Sequence, residues 1–209
     1  LCFVMTIIDS SNALLKDKED EKPTREEAEK AVKVLIEWAG DDPSREGLIE
    51  TPKRVVKAFE EYFAGYSKSP KSILEKTFFE TGNYQEFVML KNIEFRSHCE
   101  HHLAPIIGYA SVAYIPDGKV VGISKLARIV DVFAKRLQTQ ETMTSQIANS
   151  IQNNLNPKGV AVFISAEHHC MSSRGVKKAH VDMTTTFFTG DFKENQSFQK
   201  RFLNSLTSK

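Results

Sequence analysis

All six histidines of this 209-residue chain lie between His98 and His180, and five of them sit in two short clusters, Ser97-His98-Cys99-Glu100-His101-His102 and Glu167-His168-His169-Cys170. Two of its three cysteines share those clusters. Cys99 and His102 form a Cys-x-x-His pair, which offers two metal ligands from one loop, and Cys170 can complete a Cys2His set. Thiolate and imidazole together suit zinc, a borderline-soft ion, whereas magnesium and calcium ask for oxygens. Three ligands leave a fourth position open to water and hydrolytic chemistry, while a fourth ligand from His101 or His168 would close a structural site. Spacing alone does not choose between the two. Residues two apart in an extended segment share a face, so His168 points to the side of Cys170 and His101 to that of Cys99, while His102 must bend inward to bind. An unligated histidine beside such a metal, with an ordinary pKa near ~6.5, is a proton-transfer group.

Two further segments carry ligand-binding residue types. In Gly122-Ile123-Ser124-Lys125-Leu126-Ala127-Arg128 a strand turns into a helix. Cations in a first helical turn oppose the helix dipole unless an anion neutralises them. Ser124, free backbone N–H groups, Lys125 and Arg128 therefore describe a phosphate site at a helix N-terminus, against the plainer reading of two solvated side chains on an exposed turn. Arg174, just beyond Cys170, adds a third cation and would make the metal and anion sites neighbours. Gln138-Thr139-Gln140-Glu141-Thr142 lies between two helices. Glu141 is either an ordinary first-turn acid or a bidentate acceptor for the adjacent N1–H and N2–H2 donors of guanine.

The elements that must position these residues follow from composition and periodicity. With 41% hydrophobic and 26% charged residues the chain can bury a core and lacks the composition of a disordered protein. A formal net charge of +1 gives no global field for nucleic acid or an anionic membrane, so an anion site must be local. Three cysteines fit a reducing, cytoplasmic compartment better than a disulfide scaffold. Residues 1–8 are apolar without a basic flank, so neither a signal peptide nor a membrane span is expected, and 1–22 read as a disordered leader.

Thr24 and Glu27 form a capping box, and Ala28, Ala31, Val32, Leu35 and Ala39 recur at helical spacing up to Gly40. A second helix starts with Thr51 as cap and Pro52 at its first position, and stops at Gly65. Residues 23–85 thus form an N-terminal helical segment, and 86–209 the domain that carries both histidine clusters. There, β-type runs cover 87–95, 106–115 and 120–123, the last two joined as a hairpin by the turn signal Asp117-Gly118. Leu126, Ile129, Val130, Phe133 and Leu137 mark one helix and Ile147, Ile151 and Leu155 another, before strands at 160–166 and 181–189. This order of strands around a helix pair predicts an α+β architecture.

Ser97-x-Cys99-Glu100-His101-His102, Ser124-Lys125-x-x-Arg128, Gln138-x-Gln140-Glu141 and His168-x-Cys170-x-x-x-Arg174-Gly175, in this order, strongly resemble GTP cyclohydrolase I. The resemblance runs from Thr24 to Phe192 and includes Glu50-Thr51-Pro52-x-Arg54-x-x-Lys57. It implies the tunnelling fold, with two antiparallel hairpins flanking a helix pair, and a homo-oligomer, typically a decamer of two pentameric rings with active sites at subunit interfaces. It implies zinc held by Cys99, His102 and Cys170, and conversion of GTP to dihydroneopterin triphosphate with release of C8 as formate. In that reaction water activated by zinc attacks C8 while His101 protonates N7, His168 transfers protons at the ribose and Ser124 assists its rearrangement. Lys125, Arg128 and Arg174 would bind the triphosphate with Arg54 and Lys57 of a neighbouring subunit, and Glu141 with Gln140 would anchor guanine. His98, His169 and Thr142 depart from the commonest family pattern, and the two histidines offer alternative ligands.

Overall fold

The computed structural model describes residues 22–79 and 84–207; the leader expected at 1–22 lies almost wholly outside them. The chain divides into two compact units, one ending at Glu60 and one beginning at Glu61. In the first, α1 (Arg25–Trp38) opens with the expected capping box: Thr24 accepts from the Glu27 N–H, and the Glu27 carboxylate accepts from the Thr24 N–H at 2.7 Å. α2 (Thr51–Tyr62) follows with Pro52 buried. No residue of α1 is buried, and Trp38 is 86% exposed.

The second unit begins earlier than the sequence boundary near 86, because the segment after α2 packs onto it. Gly65, in a 3-10 turn at Ala64–Ser67, lies so close to the end of a later helix that a Cβ there would collide with the carbonyls of Val132 and Lys135. Its N–H donates to the Lys135 carbonyl at 3.0 Å. α3 (Pro70–Leu74) and β1 (Thr77–Phe78) come next.

The sheet then forms from β2 (Val88–Cys99), β3 (Pro105–Ile115), β6 (Gly159–His168) and β7 (Asp182–Phe188), each antiparallel to the next, with β5 (Leu137–Gln138) parallel on the outer edge of β2. Between the hairpins β2–β3 and β6–β7 run α4 (Ile123–Ala134) and α5 (Gln140–Leu155). Their apolar stripes, including Leu126, Ile129, Val130, Met143, Ile147 and Ile151, bury against Ala110, Val112, Val162 and Ile164 of the sheet. A side chain of this kind contributes about 1.5 to 3 kcal/mol when fully buried, so this layer holds the sheet flat against the helix pair. A smaller cluster around Ala113, Ala161, Phe192 and Phe202 seats α7 (Gly190–Glu194) and α8 (Gln196–Thr207).

The hairpin expected at Asp117-Gly118 is a correction. Gly118 does turn the chain with φ +69°, but β4 (Val120–Val121) pairs with β1, as Thr77↔Val121 and Phe78↔Val120. Both edges of β3 are already taken: Tyr114 pairs with Val88 on one side and with Val160 on the other. With no edge left, the Val121 N–H donates instead to the buried Tyr114 hydroxyl at 3.2 Å.

Candidate metal centre and its surroundings

The ladder register creates the central cluster. β2 ends on Cys99, and the chain reverses through 100–104, where the Cys99 N–H donates to the Ala104 carbonyl and the Leu103 N–H to the Cys99 carbonyl, both at 2.8 Å. Leu103 takes a positive φ of 55° to close this reversal. On the far side of β3, Ile106 pairs with His168, the last residue of β6, and α6 (His169–Ser172) follows at once. The reversal and α6 thus meet, and the ligand atoms of Cys99, His102 and Cys170 lie within 4.8 Å of one another. Among the described residues this group has three members, and neither His101 nor His168 is one of them.

The donor set fits zinc. A tetrahedral ion with Zn–S of about 2.3 Å holds its sulfurs roughly 3.8 Å apart, within the spread found here. Burial, and Cys99 beside it, push the Cys170 thiol above its ordinary pKa. A thiol kept neutral beside a second sulfur is a poor arrangement on its own, and a divalent cation reverses that judgement.

The alternative ligands lie elsewhere. The His98 ring lies tilted against Tyr62 at 4.6 Å between centroids and meets Phe63 edge-on at 5.4 Å, on the wall of a cleft of about 550 Å³ lined in part by Arg96, Ser97, Asp131 and Lys135. Burial lowers its pKa. His169 opens α6, and its carbonyl accepts from the Ser173 N–H and hydroxyl. Thr142 completes the cap of α5: its N–H donates to the Thr139 hydroxyl oxygen at 3.2 Å, and that hydroxyl donates to the Thr142 Oγ1 at 2.8 Å.

Around the cluster the proton-transfer candidates take distinct settings. His101 is exposed, with Nδ1 3.8 Å from the Cys99 sulfur and Nε2 3.7 Å from the Glu100 carboxylate. His168 is half-buried; desolvation lowers its pKa, and the Glu141 charge works against that shift. Its Nε2 lies 2.8 Å from Gln140 Oε1. Gln140 itself is 0% exposed, and the two N–H groups of its amide are shared among three acceptors, the carbonyls of Met183 at 2.9 Å and Ile164 at 3.3 Å and the Thr185 hydroxyl oxygen at 3.2 Å. Glu141, next in the chain, is exposed in the first turn of α5. Arg174 lies beside the cluster, donating a long 3.4 Å bond to His102 Nε2.

The other cations do not join this cluster within one chain. Val121, just before α4, is tied to Tyr114 at the Val88 end of the sheet, whereas Leu137, just after α4, pairs with His98 at the metal end. From Ser124 to Ala134 the helix rises by about 15 Å. Ser124 and Arg128 are exposed near the start of α4, and Lys125 donates from Nζ to the Ile73 carbonyl at 2.5 Å. Within one chain Arg174 therefore lies beside the metal residues, while Ser124, Lys125 and Arg128 start a helix that leads toward them. Arg54 and Lys57 lie on α2, largely in the first unit. Sequence reasoning missed Thr144 and Thr185, which enclose Gln140; Thr185 lies in a run of three threonines that read only as strand formers.

An α+β scaffold that converges two thiols and an imidazole, with His168 held on a buried amide, is compatible with the class of metal-assisted hydrolases. The family model of GTP cyclohydrolase I matches residues 28–207. A GTP cyclohydrolase 1 of Brucella suis is 58% identical over 185 residues, covering 88% of this chain and 87% of the relative. One of Hyphomonas neptunium is 60% identical over 183 residues, covering 88% and 89%. Among solved structures, the archaeosine synthase QueF-like in its apo form overlaps 52% of this chain and 97% of its own, at 21% identity and a TM-score of 0.43. The chain belongs to the GTP cyclohydrolase I family.

Proposed function

We propose that this protein carries out the reaction its family is named for: hydrolysis of GTP at C8 with loss of formate, then ribose rearrangement and closure to 7,8-dihydroneopterin triphosphate, feeding pterin and tetrahydrofolate synthesis. The observation that carries the reading is the convergence of Cys99, His102 and Cys170 into a three-donor group with histidines to spare. Zinc bound there supplies Lewis acidity and an activated water for the hydrolytic steps. His101, exposed beside Cys99, protonates the purine at N7. His168 moves protons at the ribose, and Ser124 assists the rearrangement. Glu141, an exposed carboxylate near His168, accepts the paired donors of guanine. Arg174 holds the triphosphate with Lys125 and Arg128, and with Arg54 and Lys57 of a neighbouring subunit.

The site is completed across subunits of a homo-oligomer, a decamer of tunnelling-fold protomers. Two features support this: Ser124, Lys125 and Arg128 lie one helix length from the metal group of their own chain, and α1 buries none of its residues. No helix among the described residues is long and apolar enough to cross a membrane. The low cysteine content supports a reducing, cytoplasmic setting for the enzyme. Incubating zinc-loaded protein with GTP tests the reading. Formate and a pterin chromophore should appear in equal amounts; intact, zinc-bound oligomer that yields neither would make it a binding protein.

A further inference from the structure

We infer that Gln140 is a positioning residue: it fixes the tautomer of His168 and so selects the ring atom through which that histidine works. The orientation of the Gln140 amide is settled by its neighbours. Its nitrogen faces two carbonyls that can only accept, Met183 at 2.9 Å and Ile164 at 3.3 Å. A flipped amide would set oxygen against oxygen at both, inside a fully buried site.

The hydroxyls lock this orientation further. Thr144 donates its one proton to the Gln140 main-chain carbonyl at 2.6 Å. In its 2.7 Å contact with Thr185, the Thr144 oxygen must then accept. Thr185 therefore spends its proton on Thr144 and has only lone pairs left for the Gln140 amide, 3.2 Å away. The bonds run one way around a closed ring, from the Gln140 amide through Thr185 and Thr144 back to the Gln140 main chain. No proton in it is free to reverse.

Gln140 Oε1 is left as a pure acceptor, 2.8 Å from His168 Nε2. His168 must present Nε2–H to it, so in the neutral ring the lone pair lies on Nδ1. Nδ1 is the atom that exchanges protons with substrate. This deepens the reading of His168 given above and takes the Gln140 side chain out of direct contact with the base.

The test uses full-length zinc-loaded protein labelled with [15N]histidine, and NMR at a pH where the ring is neutral. In the parent protein His168 should show its protonated nitrogen at Nε2 and its bare nitrogen at Nδ1; the opposite pattern overturns the inference. Gln140→Met removes the acceptor at Nε2 and should lose the single-tautomer pattern, while Thr185→Val leaves the Met183 and Ile164 carbonyls to orient the amide and should keep it. Gln140→Met should lower kcat for GTP about 10- to 100-fold, the usual effect of removing such an outer partner, with KM nearly unchanged. A raised KM with unchanged kcat would make Gln140 a base contact and overturn the inference. Because the NMR pattern does not depend on turnover, a failure of the GTP reading is seen separately, as parent protein that shows the tautomer pattern yet releases no formate from GTP.

Discussion

Replacing Tyr114 by Phe tests how the start of α4 is held. The ring is 1% exposed, and its hydroxyl is where the Val121 N–H ends because β3 has no edge left for β4. Phe keeps the packing and creates no cavity, so the change isolates one buried hydrogen bond. An unsatisfied buried donor costs about 1 to 3 kcal/mol. For a chain of this size each kcal/mol moves the melting temperature by roughly 2 to 4 °C, so a fall of about 2 to 12 °C is expected by calorimetry or circular dichroism. Because Val121 leads directly into Ser124 and Lys125, KM for GTP should rise in the same variant while zinc content holds. Burial raises the Tyr114 pKa, so its contribution is complete below the ordinary tyrosine value of about 10 and is lost as pH rises through the higher folded value. Tyr114→Phe should therefore lose less of its stability between neutral and strongly alkaline pH than the parent. A variant as stable as the parent, with the same alkaline profile, refutes the argument.

Three other outcomes follow from the same structure. His101→Ala should abolish formate release while zinc stays near one per chain by elemental analysis; loss of zinc would make His101 a ligand. Gly65→Ala should destabilise by several kcal/mol or prevent folding, because its Cβ meets two backbone carbonyls that cannot rotate away, and a melting temperature within 2 °C of the parent would contradict that contact. The Asp41 carboxyl, held by its hydrogen bonds with Arg45 down to about 2, should titrate by NMR near that value and return toward 3.8 in Arg45→Ala. Its lowered pKa stabilises the folded state above about 3.8 and ceases to as pH falls through 2.

How much of this was legible in the sequence depended on the range of the interaction. Local signals held: the Thr24–Glu27 capping box, the helix pair between two sets of strands, and the Cys99, His102 and Cys170 set all have counterparts in the structure. Period-two spacing put His101 on the Cys99 side and required His102 to bend inward: His101 Nδ1 lies 3.8 Å from the Cys99 sulfur, and the tight reversal at Leu103 brings His102 into the ligand group. The Asp117-Gly118 hairpin failed because strand pairing depends on which edges remain, and nothing local to that turn says that β6 occupies the second edge of β3. The true start of the second unit was hidden for a similar reason: Gly65 reads as a helix stop, and its close contact with Lys135 is 70 residues away in sequence. The network around Gln140 joins α5, β6 and β7, and glutamine and threonine carry no spacing signature for such a buried junction.

The central claim is that Cys99, His102 and Cys170 hold a zinc whose fourth position is open to chemistry. X-ray absorption at the zinc edge of the metal-loaded oligomer tests it most directly. The account predicts two sulfurs at about 2.3 Å, one imidazole nitrogen near 2.0 Å and one exchangeable light-atom ligand. Two sulfurs with two imidazoles would mean a closed structural site, and would contradict it.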